Sequence, residues 1–269
     1  MIVFDAILWL EILKGKNKNA EIYFLNVGQG DSELIVLPGN IKILIDGGPD
    51  NKVLSELSNE LSSLDRYIDL VILSHPEQDH FGGLVGVLKN YKVGAFIYNG
   101  INRQNLSFQQ LEKTVHENKI SMIALGQGDN ITYLNDKLEF LWPAKDYLND
   151  KQLNDTVLVT RFSTVDGKAL FVGDIGENIE SELVKKYDLK ADVLKVGHHG
   201  SKYSSAESFL KNVSPEISVI EVGKNSYGHP APAVLERLAS VGSQIFRTDK
   251  NGDVEIVFGP QKLNILTQK

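Results

Sequence analysis

Five short apolar runs in this chain lead into loops that carry aspartate or histidine, and this repeated placement constrains the fold more than any other feature. Ile43-Leu44-Ile45 runs into Asp46, Leu70-Val71-Ile72-Leu73 into Ser74-His75, Leu170-Phe171-Val172 into Gly173-Asp174, and Val193-Leu194-Lys195-Val196 into Gly197-His198-His199. The fifth, Val219-Ile220-Glu221-Val222, precedes the turn Ser226-Tyr227-Gly228-His229-Pro230. Apolar runs of this length, bounded by turn residues, read as buried strands. In α/β folds the loops beyond strand C-termini converge on one crevice, so the pattern predicts a shared site at one sheet edge. Each case alone has a plainer explanation. Asp46 and Asp174 adjoin glycines and suit turns, and His198-His199 would serve as a surface pair. Five recurrences favour the shared site.

The densest of these loops, Ser74 to Gly83, carries two imidazoles and two carboxylates: His75, Glu77, Asp79 and His80. Nitrogen and oxygen donors suit zinc, manganese or iron, and a site with an open position lowers the pKa of a bound water to about 7. The chain has no cysteine, which excludes thiolate metal sites and disulfides. Of its 6 histidines, only His116 falls outside the strand-end loops, inside a polar helical segment where it reads as a solvated side chain.

Elsewhere the periodicity alternates between strand and helix. Strands are expected at 21–27, 33–37, 42–46, 67–73, 93–98, 131–133, 137–142, 157–162, 169–172, 192–196, 216–222, 243–247 and 254–258. Helices are expected at 53–64, from 82 onward, and at 107–118, 179–187, 206–212 and 230–240. No linker rich in proline, glycine or serine divides the region, so residues 20–269 read as one compact α/β domain. Residues 1–19 read as an N-terminal amphipathic helix followed by a polar linker. The stretch Met1 to Leu13 is apolar but interrupted by Asp5 and Glu11, and spanning a bilayer takes about 20 residues. It is expected to pack on the domain, a membrane surface or a partner, giving a soluble or peripherally membrane-associated protein. A net charge of −7 supplies no general attraction to nucleic acid, although bound divalent cations would reverse the potential at the site itself. Arg161, Lys195 and Arg247 are open to two readings, as phosphate contacts or as strand-edge solubility charges.

With these residues in view, the chain resembles the metallo-β-lactamase superfamily, and within it the hydrolase domains of ComEC-type competence proteins. The superfamily signature His-x-His-x-Asp-His appears as His75-Pro76-Glu77-Gln78-Asp79-His80. The branch-specific marks are Phe24 to Asp31, Ile45-Asp46-Gly47-Gly48, Gly173-Asp174-Ile175, Leu194 to Ser201, Tyr227-Gly228-His229-Pro230 and Arg247-Thr248-Asp249. The resemblance implies a four-layer αββα sandwich holding two divalent metal ions, manganese or zinc. By position it implies His75 and Glu77 on the first metal, Asp79 and His80 on the second, Asp174 bridging, and one of His198 and His199 as a further ligand. Alternation at a strand end favours His199 as that ligand and leaves His198 to contact phosphate. Asp46 is implied to buttress the ligands from behind. His229 or His198 is implied to protonate the leaving oxygen.

Two departures stand out. Glu77 replaces the second histidine of the signature, and Asn154 takes the place of the histidine that completes the first metal site, which weakens that site and favours manganese. The resemblance implies phosphodiester hydrolysis, with DNA as the substrate and a membrane channel or membrane-associated partner reached through the N-terminal helix. The alternatives are a hydrolase of small phosphodiesters or cell-wall phosphate esters, and a catalytically weak binding domain.

Overall fold

The computed structural model describes residues 19–149 and 152–269. The expected N-terminal helix lies outside the described residues. Six strands come first: β1 (Glu21–Phe24), β2 (Glu33–Leu37), β3 (Ile41–Ile45), β4 (Tyr67–Ile72), β5 (Lys92–Tyr98) and β6 (Ser121–Ala124). Seven more follow: β7 (Asn130–Tyr133), β8 (Asp136–Trp142), β9 (Val159–Thr164), β10 (Gly167–Phe171), β11 (Val193–Lys195), β12 (Ile217–Ile220) and β13 (Gln244–Arg247). The chain closes with β14 (Val254–Phe258) and β15 (Leu263–Thr267). They form an eight-stranded sheet, β15-β14-β1-β2-β3-β4-β5-β6, and a seven-stranded sheet, β13-β12-β11-β10-β9-β8-β7. In the first sheet β3 to β6 pair in parallel, and in the second β10 to β13 do; the remaining ladders are antiparallel.

Side-chain alternation sorts each strand's apolar residues between two interfaces. Ile35, Ile43, Ile45 and Ile72 of the first sheet meet Phe140, Phe162, Phe171, Val193 and Val219 of the second in a core between the sheets. The alternate residues Leu34, Leu44 and Val71 pack outward with Leu57, Val87 and Leu111. These belong to the helices Lys52–Glu60, Leu84–Asn90 and Leu106–Glu117. Leu170, Leu194 and Ile220 pack outward with Leu183, Leu210 and Leu238, from the helices Glu177–Lys186, Glu207–Val213 and Pro232–Ser240. Three apolar interfaces among two helical layers and two sheets make the four-layer αββα sandwich.

The strands β6 and β15, absent from the sequence expectation, are sheet edges. Their exposed residues, Ile123 at 43% and Leu266 at 57%, dilute any buried-strand pattern. Among the described residues, no helix is long and apolar enough to cross a membrane.

Candidate metal centre

The parallel halves of the two sheets bring their C-terminal ends to one edge, and the antiparallel pairing of β2 with β3 returns the turn before Glu33 to the same edge. Asp46 leaves β3 in a left-handed conformation, φ 55°, while its N–H donates to the Ile72 carbonyl at 2.8 Å. Its carboxylate then serves three donors. Oδ1 accepts from the Ser74 N–H at 2.7 Å, and Oδ2 accepts from Ser74 Oγ at 2.5 Å and from His80 Nδ1 at 2.7 Å. A carboxylate on Nδ1 fixes the imidazole so that Nε2 faces the other way, the arrangement common behind metal-bound histidines. The turn closes on Gly82 and Gly83 because there is no room for a side chain. A Cβ at Gly82 would collide with the Pro49 carbonyl, and one at Gly83 with the carbonyl oxygens of Gly47 and Asp50.

Asp174 comes from the second sheet, beyond β10. Its Oδ2 lies 3.5 Å from His80 Nε2, 3.5 Å from His199 Nε2 and 3.7 Å from His198 Nε2. His199 Nδ1 sits 2.9 Å from the Glu221 carbonyl and 3.2 Å from Asp31 Oδ1, so its Nε2 also points inward, 3.5 Å from Asp79 Oδ2. Asp79, His80, Asp174 and His199 thereby place four donor atoms within 4.8 Å of one another. The Nε2 atoms of His75, His80 and His199 and Oδ1 of Asp174 are buried without a hydrogen-bond partner. Each such orphan costs about 1–3 kcal/mol, and a cation among the four donors would satisfy the Nε2 atoms of His80 and His199. The donor set fits a divalent ion that prefers nitrogen and oxygen.

The electrostatics point the same way. Burial opposes charge on His80, yet Asp174, Asp46 and Asp31 hold its pKa well above the ordinary value. Burial likewise opposes charge on His199, and Asp174 and Asp31 raise it to about 10. Asp174 works against its own burial, with His199 and His80 holding it well below the carboxylate range. The ionised carboxylates thus hold protons on His80 and His199, which a bound metal would displace. His75 behaves differently: burial and the neighbouring His80 push it down to about 3, so it is a neutral imidazole.

The remaining predicted residues surround this group. The His75 ring lies 4.1 Å from that of His80, centroid to centroid. Glu77 is half-buried at the start of the short helix Gln78–Phe81, and burial followed by Asp79 raises its carboxyl. His75 and Glu77 flank the four-donor group without entering it. His198, 33% exposed in its side chain, and half-buried His229 face each other with ring centroids 5.6 Å apart. Burial lowers the pKa of both. Asn154 lies in the 3-10 turn Leu153–Thr156, which reaches the cradle through the Leu158 N–H donating to the Ser74 carbonyl at 2.8 Å. His116 is exposed, away from the cluster.

Strand alternation does not govern the histidine pair. Both residues follow β11 in a left-handed turn, with φ of 49° and 51°, and both side chains approach Asp174. Burial separates them, since His199 is 2% exposed.

Lys195 corrects the reading of the three basic residues. It is neither a phosphate contact nor an edge charge, but a fully buried cation paired with Asp31 and donating to the Gly173 carbonyl at 3.1 Å. Arg161 is held by Glu139 and the Asp188 carbonyl, and Arg247 by Asp249. Sequence reasoning named Asp31 only within the Phe24–Asp31 mark and gave it no role in the site, and it missed Glu33 and Glu221. Glu221 accepts from the Ser32 N–H at 2.9 Å. Burial, then Asp31, raises Glu221 to about 8, while burial and then Glu221 raise Glu33 well above the ordinary value. The available signal was a charge inside an otherwise apolar strand, at Lys195 and again at Glu221.

Comparison with known proteins places this architecture. The chain is 29% identical to ComE operon protein 3 of Bacillus subtilis (strain 168) over 258 residues, covering 89% of this chain and 33% of that protein. It is 31% identical to competence protein ComA of Neisseria gonorrhoeae over 246 residues, covering 89% of this chain and 32% of that one. The chain therefore spans about one third of the length of the curated relatives it matches. Among solved structures, the metallo-beta-lactamase fold protein YhfI of Bacillus subtilis superposes with a TM-score of 0.60 at 14% identity, covering 88% of this chain and 99% of that one. Igni18, a metallo hydrolase of Ignicoccus hospitalis, superposes at 0.59 with 15% identity, covering 93% of this chain and 100% of that one. These likenesses carry the fold alone. The family model of the Metallo-beta-lactamase superfamily matches residues 25–223, from the end of β1 to the loop beyond β12, and the chain belongs to that superfamily.

Proposed function

We propose that this protein is a metal-dependent phosphodiesterase acting on DNA. The observation that carries the reading is the group Asp79, His80, Asp174 and His199, in which the inward-facing Nε2 atoms of both histidines lack partners, with the imidazoles of His198 and His229 beside it. Those four residues would hold one divalent ion, manganese or zinc, and His75 with Glu77 a second, weaker one. Bound there, such ions polarise a phosphodiester and acidify a water.

The chain's own residues supply the rest. Asp46 orients His80, and the Glu221 carbonyl with Asp31 orients His199. His198 and His229, kept neutral by burial, are available to hydrogen-bond a phosphate oxygen, and either can take the proton released by the attacking water and pass it to the departing oxygen. DNA is the favoured substrate because relatives bear the names competence protein ComA and, in Haemophilus influenzae, Recombination protein 2. The N-terminal segment is proposed to dock on a membrane-associated partner that delivers DNA. The net charge of −7 favours a second reading, a hydrolase of small phosphodiesters.

The deciding assay offers a labelled single-stranded oligonucleotide and a chromogenic phosphodiester to the purified protein with manganese. Asp79→Ala serves as the control. Oligonucleotide cleavage lost in the variant supports the proposal; cleavage of the small diester alone favours the second reading.

A further inference from the structure

We infer that Tyr227 is a stacking platform for a nucleobase next to the scissile phosphate, an inference that rests on the nuclease reading. Tyr227 is 74% exposed, and it differs from the other exposed aromatic side chains in its contact with a histidine beside the four-donor group. Its ring centroid lies 5.7 Å from that of His229 at an interplanar angle of 32°, and His229 lies 5.6 Å from His198. His198 Nε2 in turn is 3.7 Å from Asp174 Oδ2. The three rings, the last pair meeting edge-on at 76°, lead from solvent to Asp174 of the four-donor group.

The platform is held in place. The Asn225 side chain knits the loop, its Oδ1 accepting from the Tyr227 and His229 N–H groups at 3.1 Å each. Its Nδ2 donates to the Gly223 and His229 carbonyls at 2.9 Å each. Gly228, at φ 77°, allows the reversal between the two rings. Just beyond, the Ala231 N–H donates to the Gly200 carbonyl at 2.8 Å and ties the loop to the turn that carries His198 and His199.

An exposed ring on a preorganised loop has already met the ordering cost of binding a flat partner. Every nucleobase presents such a face, and base–aromatic stacking is tolerant of sequence. Another exposed tyrosine, Tyr203, carries the Lys202 Nζ over one face, 4.9 Å from the ring centre, and is not joined to the histidine rings. Tyr227 keeps the face opposite His229 for a ligand, and Lys224 on the same loop is an exposed cation for the adjoining phosphate.

The test compares an oligothymidylate with an abasic oligonucleotide of equal length, on wild-type protein, Tyr227→Ala, Tyr227→Trp and Tyr67→Ala. Tyr67 begins β4, at the opposite end from the site. Tyr227→Ala should raise KM on the thymidylate roughly 5- to 100-fold, leave the abasic substrate unchanged, and be rescued by tryptophan. Tyr67→Ala should alter neither. The same comparison by fluorescence anisotropy on the Asp79→Ala protein reads binding without turnover. Equal effects of Tyr227→Ala on both substrates, no effect on either, or no binding of either oligonucleotide overturns the inference. Wild-type cleavage with no discrimination by Tyr227 would sink the stacking site while leaving the nuclease reading intact.

Discussion

Lys195 and Asp31 form an ion pair with both side chains fully buried, and Asp31 in turn lies 3.2 Å from Nδ1 of His199. Burial opposes the charge on each, but Lys195 and His199 hold Asp31 well below the carboxylate range, while Asp31 and Asp174 hold Lys195 above the ordinary lysine value. Breaking such a pair leaves one charge stranded in the interior, at a cost of about 3–5 kcal/mol. Lys195→Met should therefore lower unfolding free energy by that order in urea titration. Adding Asp31→Asn to Lys195→Met should recover part of the loss, because the stranded carboxylate is then removed.

The Asp46 carboxylate holds His80 and Ser74 from behind the four-donor group. Outer partners of metal-bound histidines typically contribute 10- to 100-fold in affinity. Asp46→Asn should weaken manganese binding by about that factor in isothermal titration. An unchanged affinity would show that His80 needs no carboxylate behind it.

Glu180 offers a pH signature away from the metal. It is buried and accepts from the Ser205 and Ala206 N–H groups at 2.5 and 2.8 Å, and burial outweighs those bonds to raise its pKa to about 7. A carboxyl whose folded pKa is raised favours folding most while protonated. Its contribution is full below pH 4.5 and is lost as pH rises through about 7. Stability should decline by roughly 3 kcal/mol across that window on this account. Glu180→Gln should flatten the profile, as read by denaturant midpoints at pH 4.5 and 8.

His198 and His229 stand beside the four-donor group. Substituting either by alanine should cut kcat on a phosphodiester by about 10²- to 10⁴-fold, the range for general acid–base groups, while metal content stays unchanged. A fall in metal content alongside kcat would instead make the histidine a ligand.

The placement of Asp46, Asp79, Asp174 and His199 at one edge was legible because each follows an apolar run, and parallel strands bring such ends together. The role of Asp31 was not, since it stands at the far side of its turn, beside the strand that leaves the edge and not the one that enters it. Only the β2–β3 antiparallel ladder shows that a strand's beginning shares an edge with its neighbour's end. Lys195 was misread for a related reason: a lysine within an apolar strand resembles edge protection until a buried acid is found opposite it. Strand alternation could not decide between His198 and His199, because the left-handed turn carries both beyond the ladder where the period of two applies. The edge strands β6 and β15 escaped notice because they are short and half-exposed, with little apolar pattern to read.

The most direct test of the metal centre is a manganese titration of chelator-stripped protein, comparing His199→Ala with His198→Ala. The inward-facing, partnerless Nε2 of His199 predicts that its loss abolishes the tight binding step, whereas loss of half-exposed His198 leaves that step in place. Equal weakening by both substitutions, or retention of the step in His199→Ala, would contradict the four-donor centre.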